Sequence, residues 1–137
     1  MLHSHLLFLF VSSMWTPHQQ PPRPCAGTVV METDTTVARI GPETESLLQW
    51  TMGVPGPEYP VELRSQREVG SVIARFAVDT NGRVVRGTAV ILSESHRAFG
   101  RSVCQFLTQA RLRPVPLHGR KRTVTVSASP FAFSFGR

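Results

Sequence analysis

Between Gly70 and Leu92 the chain alternates in character on either side of an Asn-Gly pair, and an antiparallel hairpin is the local structure that accommodates this. Val72, Ala74, Phe76 and Val78 fall on one side of the expected strand, with Ser71 and Arg75 among those on the other. Asp79-Thr80-Asn81-Gly82 then reverses the chain, and a second β-branched run follows from Arg83. Period-two alternation broken by Asn-Gly specifies a hairpin because only residues tolerant of positive φ fit so tight a turn. Asp79 is expected to cap backbone groups of that turn with its own carboxylate.

The flanking segments complete a small sheet-and-helix unit. Pro60 at a first helical position, Glu62 early and Gly70 just past the end predict a short helix over Val61–Val69. After Leu92, Ser93-Glu94-Ser95 supplies N-cap residues. Phe99, Val103, Phe106, Leu107 and Ala110 then recur as one apolar stripe, opposite Arg97, Arg101 and Gln105, on a helix that ends near Arg113-Pro114. His118-Gly119 reads as a turn, Thr123–Ser127 alternates again, and Phe131, Phe133 and Phe135 close on a single face as core. The expected fold is α+β: a three-stranded antiparallel sheet with two helices on one face, in the order α-β-β-α-β. The last strand is placed at a sheet edge, because Pro130 is tolerated there and not in a central strand.

The 137 residues allow one domain and a tail. Residues 1–27 read as a signal-like leader and Pro-rich tail, 28–56 as a weakly patterned segment, and 57–137 as the domain, with the break at Met52–Pro57. Thr28–Ile40 offers a short strand or two, and Glu43–Trp50 a short helix. Leu6–Val11 is an apolar run of signal-peptide length, well short of the roughly 20 residues that span a bilayer. It is read as an export leader, the rival being a misplaced start.

Charge is lopsided: residues 53–137 hold thirteen Arg/Lys against five Asp/Glu, which attracts anions of some kind or serves solubility alone. Arg120-Lys121-Arg122 is the densest basic cluster, either a solvated turn or a weak contact for anionic envelope material such as peptidoglycan. No nucleic-acid-binding pattern accompanies it. Cys25 and Cys104 do not make a disulfide framework: Cys104 reads as a small buried apolar residue, and Cys25 lies in the Pro-rich tail. Pro22-Arg23-Pro24 lacks the small apolar pattern of a lipid-attachment site.

Catalysis finds little support. Gly100-Arg101-Ser102-Val103-Cys104 departs from a nucleophile elbow in its fifth residue and sits within an expected helix. His3 and His5 are the one close histidine pair and lie in the leader, so neither metal nor cofactor is expected. The chain is read as a binding protein rather than an enzyme.

Glu58-Tyr59-Pro60, the Gly70-x-Val72-x-x-x-Phe76-x-Val78-Asp79-x-x-Gly82-x-Val84 run, Phe99-x-x-x-Val103, Leu112-Arg113-Pro114 and Pro130-Phe131-x-Phe133 together resemble the TonB C-terminal domain family. The likeness covers Pro57 to Phe135. It implies a periplasmic module that grips an extended segment of an outer-membrane transporter during energy-coupled transport. Thr123, Val124, Thr125, Val126 and Ser127 match the family's partner-pairing strand, and Glu58, Tyr59 and Pro60 the segment beside it that also touches the partner. The Tyr59 ring packs while its hydroxyl stays available to that partner. An exposed edge strand is suited to such work, since an extended peptide adds itself to the unpaired N–H and C=O groups. The alternative is a basic envelope-associated domain that pairs the same edge into a homodimer. The chain departs from the family in having no membrane-spanning helix and only a short Pro-rich stretch. At about 3.1 Å per extended residue that stretch falls short of the periplasm's width, so any inner-membrane motor complex is reached through another protein.

Overall fold

The computed structural model describes residues 20–25, 38–40, 49–51, 55–114, 116–117 and 119–135. The expected leader and most of the 43–50 helix lie outside them. The elements are β1 (Arg23–Pro24), β2 (Ala38–Ile40), α1 (Val61–Arg64), β3 (Gly70–Val78), β4 (Val90–Glu94), α2 (Arg97–Gln109), β5 (Pro116–Leu117), β6 (Arg120–Lys121) and β7 (Val124–Phe133). β3, β4 and β7 form the antiparallel centre, with β3 in the middle. Two short strands extend this expected trio to five, in the order β1-β4-β3-β7-β2, and β5–β6 is a separate hairpin.

The alternation read from the sequence decides which face is dry. Val72, Ala74, Phe76 and Val78 are buried, while Ser71 and Ile73 are exposed. Leu63 of α1 and Phe99, Val103 and Leu107 of α2 share their cluster, so both helices cover one face. Burying such side chains is worth about 1.5–3 kcal/mol each, and this face carries most of the fold's hydrophobic stabilisation. Phe99 stacks on Phe133 with centroids 4.5 Å apart. Trp50, upstream of the expected domain, lies 5.2 Å from Phe106 and 6.0 Å from Phe131 and closes the other end of the same layer.

The turn forms as its residues dictate. Asp79 Oδ1 accepts from the N–H groups of Asn81 and Arg83 at 2.8 and 2.9 Å. Gly82 sits at φ +80°, and a Cβ there would collide with the Leu112 carbonyl oxygen. The return strand starts later than expected, at Val90 rather than Arg83. Val84 pairs with Val78 and Val85 N–H donates to Ala77 C=O at 2.8 Å, but the run breaks at Gly87 (φ +81°) before regular pairing resumes. Leu112 N–H also donates to Gly82 C=O at 2.8 Å, and Arg83 bridges Arg111, so the stretch after the turn engages the end of the α2 connection as well. The helices are also shorter than predicted. α1 ends at Arg64, and Arg67 takes a positive φ of 49° on the way to β3. α2 is capped by His96, whose Nδ1 accepts from Ala98 N–H at 3.0 Å, because Ser95 Oγ is engaged by Ser71 N–H. Its final residues leave the helix at Ala110, and Leu112 bridges Trp50.

β7 is continuous where the sequence indicated an interruption at Ser129-Pro130. Val124 and Val126 face the core, then Phe131 and Phe133 do, and even-to-odd phase change requires one extra residue. It is absorbed where Ser127 and Ala128 oppose Arg75, between the pairs Ala74↔Ser129 and Phe76↔Val126. Phe135 lies beyond the strand and is 40% exposed, so the expected three-Phe core face contains only Phe131 and Phe133.

Both sheet edges are covered in part by upstream chain. β1 pairs antiparallel with β4 (Arg23↔Ile91, Pro24↔Val90), and Arg23 grips Glu94 at 2.8 Å. Gly100 admits that ion pair against the helix, since a Cβ there would collide with the Glu94 carboxylate. Cys25 and Cys104 form a disulfide, which corrects the reading of two unpaired cysteines. The bond closes a sequence separation of 79 residues, a constraint worth roughly 4 kcal/mol in the chain-entropy account.

Two outcomes follow for stability. Replacing Cys25 and Cys104 together by Ser is predicted to lower the thermal midpoint by about 10 °C or more. A scan within a few degrees of the wild type would mean that the bond constrains little. Gly82→Ala and Gly87→Ala both place a side chain at a left-handed φ, at about 1–2 kcal/mol each. Gly82→Ala should cost about 1 kcal/mol or more beyond Gly87→Ala in urea unfolding, because only at Gly82 does the Cβ meet backbone, the Leu112 carbonyl, while nothing lies within 4 Å at Gly87.

Candidate strand-pairing edge

The direction in which β7 presents its backbone follows from its pairing with β3. Ala77 turns away from β7: its N–H donates to Thr88 Oγ1 at 3.1 Å and its C=O accepts from Val85 N–H at 2.8 Å. Ala77↔Thr125 is therefore a non-hydrogen-bonded pair, and Thr125 directs both backbone groups to the outer flank. Beyond the bulge the same alternation makes Ile73↔Pro130 a non-hydrogen-bonded pair. Pro130 thus costs the β3–β7 ladder nothing and leaves a missing donor on the outer flank.

The flank expected to be free is occupied over its first residues. β2 lies parallel to β7 with Ala38↔Val124, Arg39↔Thr125 and Ile40↔Val126. These are three of the five positions, Thr123–Ser127, singled out for partner pairing. The expectation of an open edge is corrected there: outward groups of Thr125 have a neighbour from the chain itself, as buried or half-buried backbone requires. From Ser127 to Phe133 no strand lies on the outer flank among the described residues.

Glu58, Tyr59 and Pro60 are not beside Thr123–Ser127. The Tyr59 ring lies 4.8 Å from Phe135, 5.7 Å from Phe99 and 6.3 Å from Phe133, at the far end of β7. Eight residues of strand separate Thr125 from Phe133, roughly 25 Å. The Tyr59 hydroxyl donates to the Glu68 carbonyl, so it is not the free group expected. Burial, and then the neighbouring Glu68, raises its pKa. Ser102 Oγ donates to the Glu58 carbonyl, tying this segment to α2. Glu62 and Arg101 pair at 2.7 Å across a shallow cleft lined by Glu58, Tyr59, Pro60 and Ser102. Glu62 is held below its ordinary carboxylate pKa by its backbone hydrogen bond, against desolvation and with help from Arg101.

Arg120, Lys121 and Arg122 are exposed and immediately precede β7, at the end of the sheet where Arg83 faces Arg111. None of the five forms an ion pair among the described residues. The elbow-like Ser102 and Cys104 are committed to a backbone contact and a disulfide. Among the described residues no cluster of three or more His, Cys, Asp or Glu is placed to hold a metal ion, and no helix is long and apolar enough to cross a membrane.

Sequence reasoning missed Ala38–Ile40 as an occupant of the edge, and the cysteine pair. The signals were present but faint: a short β-branched run ending at Gly41-Pro42, and an even cysteine count behind an export-like leader.

Residues 55–135 match the family described as Gram-negative bacterial TonB protein C-terminal. The solution NMR structure of the Pseudomonas aeruginosa TonB CTD superposes with a TM-score of 0.54 at 20% identity, over 72% of this chain and 95% of that one. No curated protein matches the chain. The structural likeness concerns the fold, and it extends to the α+β arrangement derived above. With the family pattern spanning the hairpin, α2 and β7 together, the chain belongs to the TonB C-terminal domain family.

Proposed function

We propose that this chain is a periplasmic peptide-binding module that pairs the outer flank of β7, over Thr123–Ser127, with an extended segment of an outer-membrane transporter. The single observation that carries the reading is that this flank already takes an extended segment in register, Ala38–Ile40 on Val124–Val126. A flank whose Thr125 groups face outward is chemically indifferent to whether the added backbone is its own or foreign. Pairing there supplies main-chain hydrogen bonds, worth about 0.5–1.5 kcal/mol each, and side chains of the partner add selectivity. The donor gap at Pro130 limits further zipping and favours the Thr123–Ser127 end.

Three further features agree with this role. The Cys25–Cys104 disulfide suits an oxidising compartment outside the cytoplasm, as the periplasm is. The cleft of Glu58, Tyr59 and Pro60 against α2 lies at the opposite end of the strand and serves as a separate contact for the partner's continuation. Arg120, Lys121 and Arg122, beside the start of β7, meet anionic groups of the envelope or of the partner. No observation specifically favours a homodimer through this flank.

The test is a titration of a fluorescein-labelled peptide copying the N-terminal segment of an outer-membrane transporter. Saturable binding is expected, and in a protein whose β2 is already loosened by Ile40→Pro, adding Thr125→Pro, which removes the outward donor while sparing the β3 ladder, should weaken it by about tenfold (roughly 1.4 kcal/mol). A folded Thr125→Pro/Ile40→Pro protein that binds as tightly as Ile40→Pro alone would contradict strand addition at this site.

A further inference from the structure

We infer that Ala38–Ile40 is an internal competitor, a strand of the chain's own that keeps the capture edge closed until a partner strand displaces it. The inference rests on the capture reading above and adds how that site is regulated.

Three observations carry it. The first is position: β2 covers Val124, Thr125 and Val126, the middle of the partner-pairing segment, and covers nothing else of β7. The second is backbone direction. Thr125 faces outward, so in a parallel pair the groups that meet it belong to Ala38 and Ile40, which flank its register partner Arg39. Occupancy by β2 and occupancy by a foreign strand are mutually exclusive, because both need the same N–H and C=O of Thr125.

The third is tethering on both sides. Thirteen residues before Ala38, Cys25 is bonded to Cys104. Nine residues after Ile40, Gln49–Thr51 lies along Arg111–Arg113, with Thr51 N–H donating to Arg111 C=O at 2.9 Å and Arg113 N–H to Gln49 C=O at 2.8 Å. Pairing of β2 is therefore intramolecular, with an effective concentration on the order of millimolar. A partner at lower concentration prevails only by offering more than three residues of backbone.

The fold supplies room for that. β7 is ten residues long and β2 pairs with three of them. A longer incoming strand has the flank from Ser127 to Ser129, short of the donor gap at Pro130, as its first foothold, and then replaces β2 residue by residue. Short peptides that match only Val124–Val126 gain no such foothold and are excluded. The edge is thereby shielded from casual pairing with other chains, the hazard that every open sheet edge presents.

The experiment uses the full chain and Ile40→Pro, which deletes the β2 donor facing the Thr125 carbonyl. Two labelled probes are titrated: a synthetic peptide of this chain's residues 34–42, supplied in trans, and the transporter-derived peptide. Hydrogen exchange at the Thr125 amide is followed in parallel without peptide. In the wild type Thr125 is expected to be protected and the 34–42 peptide not to bind. In Ile40→Pro the amide should exchange at least about tenfold faster, the 34–42 peptide should bind saturably, and the transporter peptide should bind about tenfold tighter than to wild type, since no fraction is held closed. Equal Thr125 exchange in the two proteins overturns the inference, as does equal affinity for a transporter peptide that binds both. A transporter peptide that binds neither, with Thr125 protected in the wild type alone, removes the capture reading while the internal strand stands. Should Ile40→Pro fail to unfold cooperatively, Ile40→Gly keeps every donor and should shift the same readouts in the same direction by a smaller factor.

Discussion

An open sheet edge is a row of unpaired amides and carbonyls, and every distinctive feature of this molecule answers the question of where those groups go. The antiparallel centre of β3, β4 and β7 has two such rows. β1 takes the one on β4, locked by the Arg23–Glu94 ion pair and the Cys25–Cys104 bond. β2 takes part of the one on β7. The two closures differ in kind. One is covalently fixed and adjoins a helix, whereas the other is three residues of backbone pairing with a further seven residues of β7 beyond it. The binding role proposed above is given to the weaker closure, since an edge that is to be used must be capable of opening.

The dry face makes that edge usable. Phe76, Phe99, Val103 and Phe133 hold β3, α2 and β7 as one rigid layer, so an added strand meets a backbone already extended and in register. The bulge at Ser127–Ala128 restores the inward phase for Phe131 and Phe133 and separates the Thr123–Ser127 end from the Pro130 end. The two chemical regions assigned to partner contact therefore sit at opposite ends of one strand. A ligand that touches both spans most of β7.

Local chemistry was legible in the sequence and remote pairing was not. The Asp79–Gly82 turn, the β3 alternation and the Phe99–Leu107 stripe each depend on neighbours within a few residues, and all three formed as read. The run after the turn pairs back on β3 only briefly, at Val84 and Val85, and breaks at Gly87 before Val90, while Gly82 and Arg83 also meet Leu112 and Arg111, partners invisible to any local pattern. The continuity of β7 through Pro130 was hidden for a related reason: the cost of a proline depends on whether its missing N–H faces a neighbour, and here it faces outward. The disulfide and β2 are the extreme cases. Nothing near Cys25 marks it as a neighbour of Cys104, and nothing near Ala38 names Val124. Of the candidate site, the strand itself was found, while its occupant and the distance to Tyr59 required the fold.

The central claim is that the chain's own backbone sits on Thr125. Trans-hydrogen-bond scalar coupling in a uniformly 15N,13C-labelled sample tests it most directly. The account predicts a cross-peak linking the Thr125 amide nitrogen to the Ala38 carbonyl carbon, lost when an excess of a bound extended peptide is added. A Thr125 amide with no coupling to any carbonyl in the free protein, exchanging at the rate of an open chain, would contradict it.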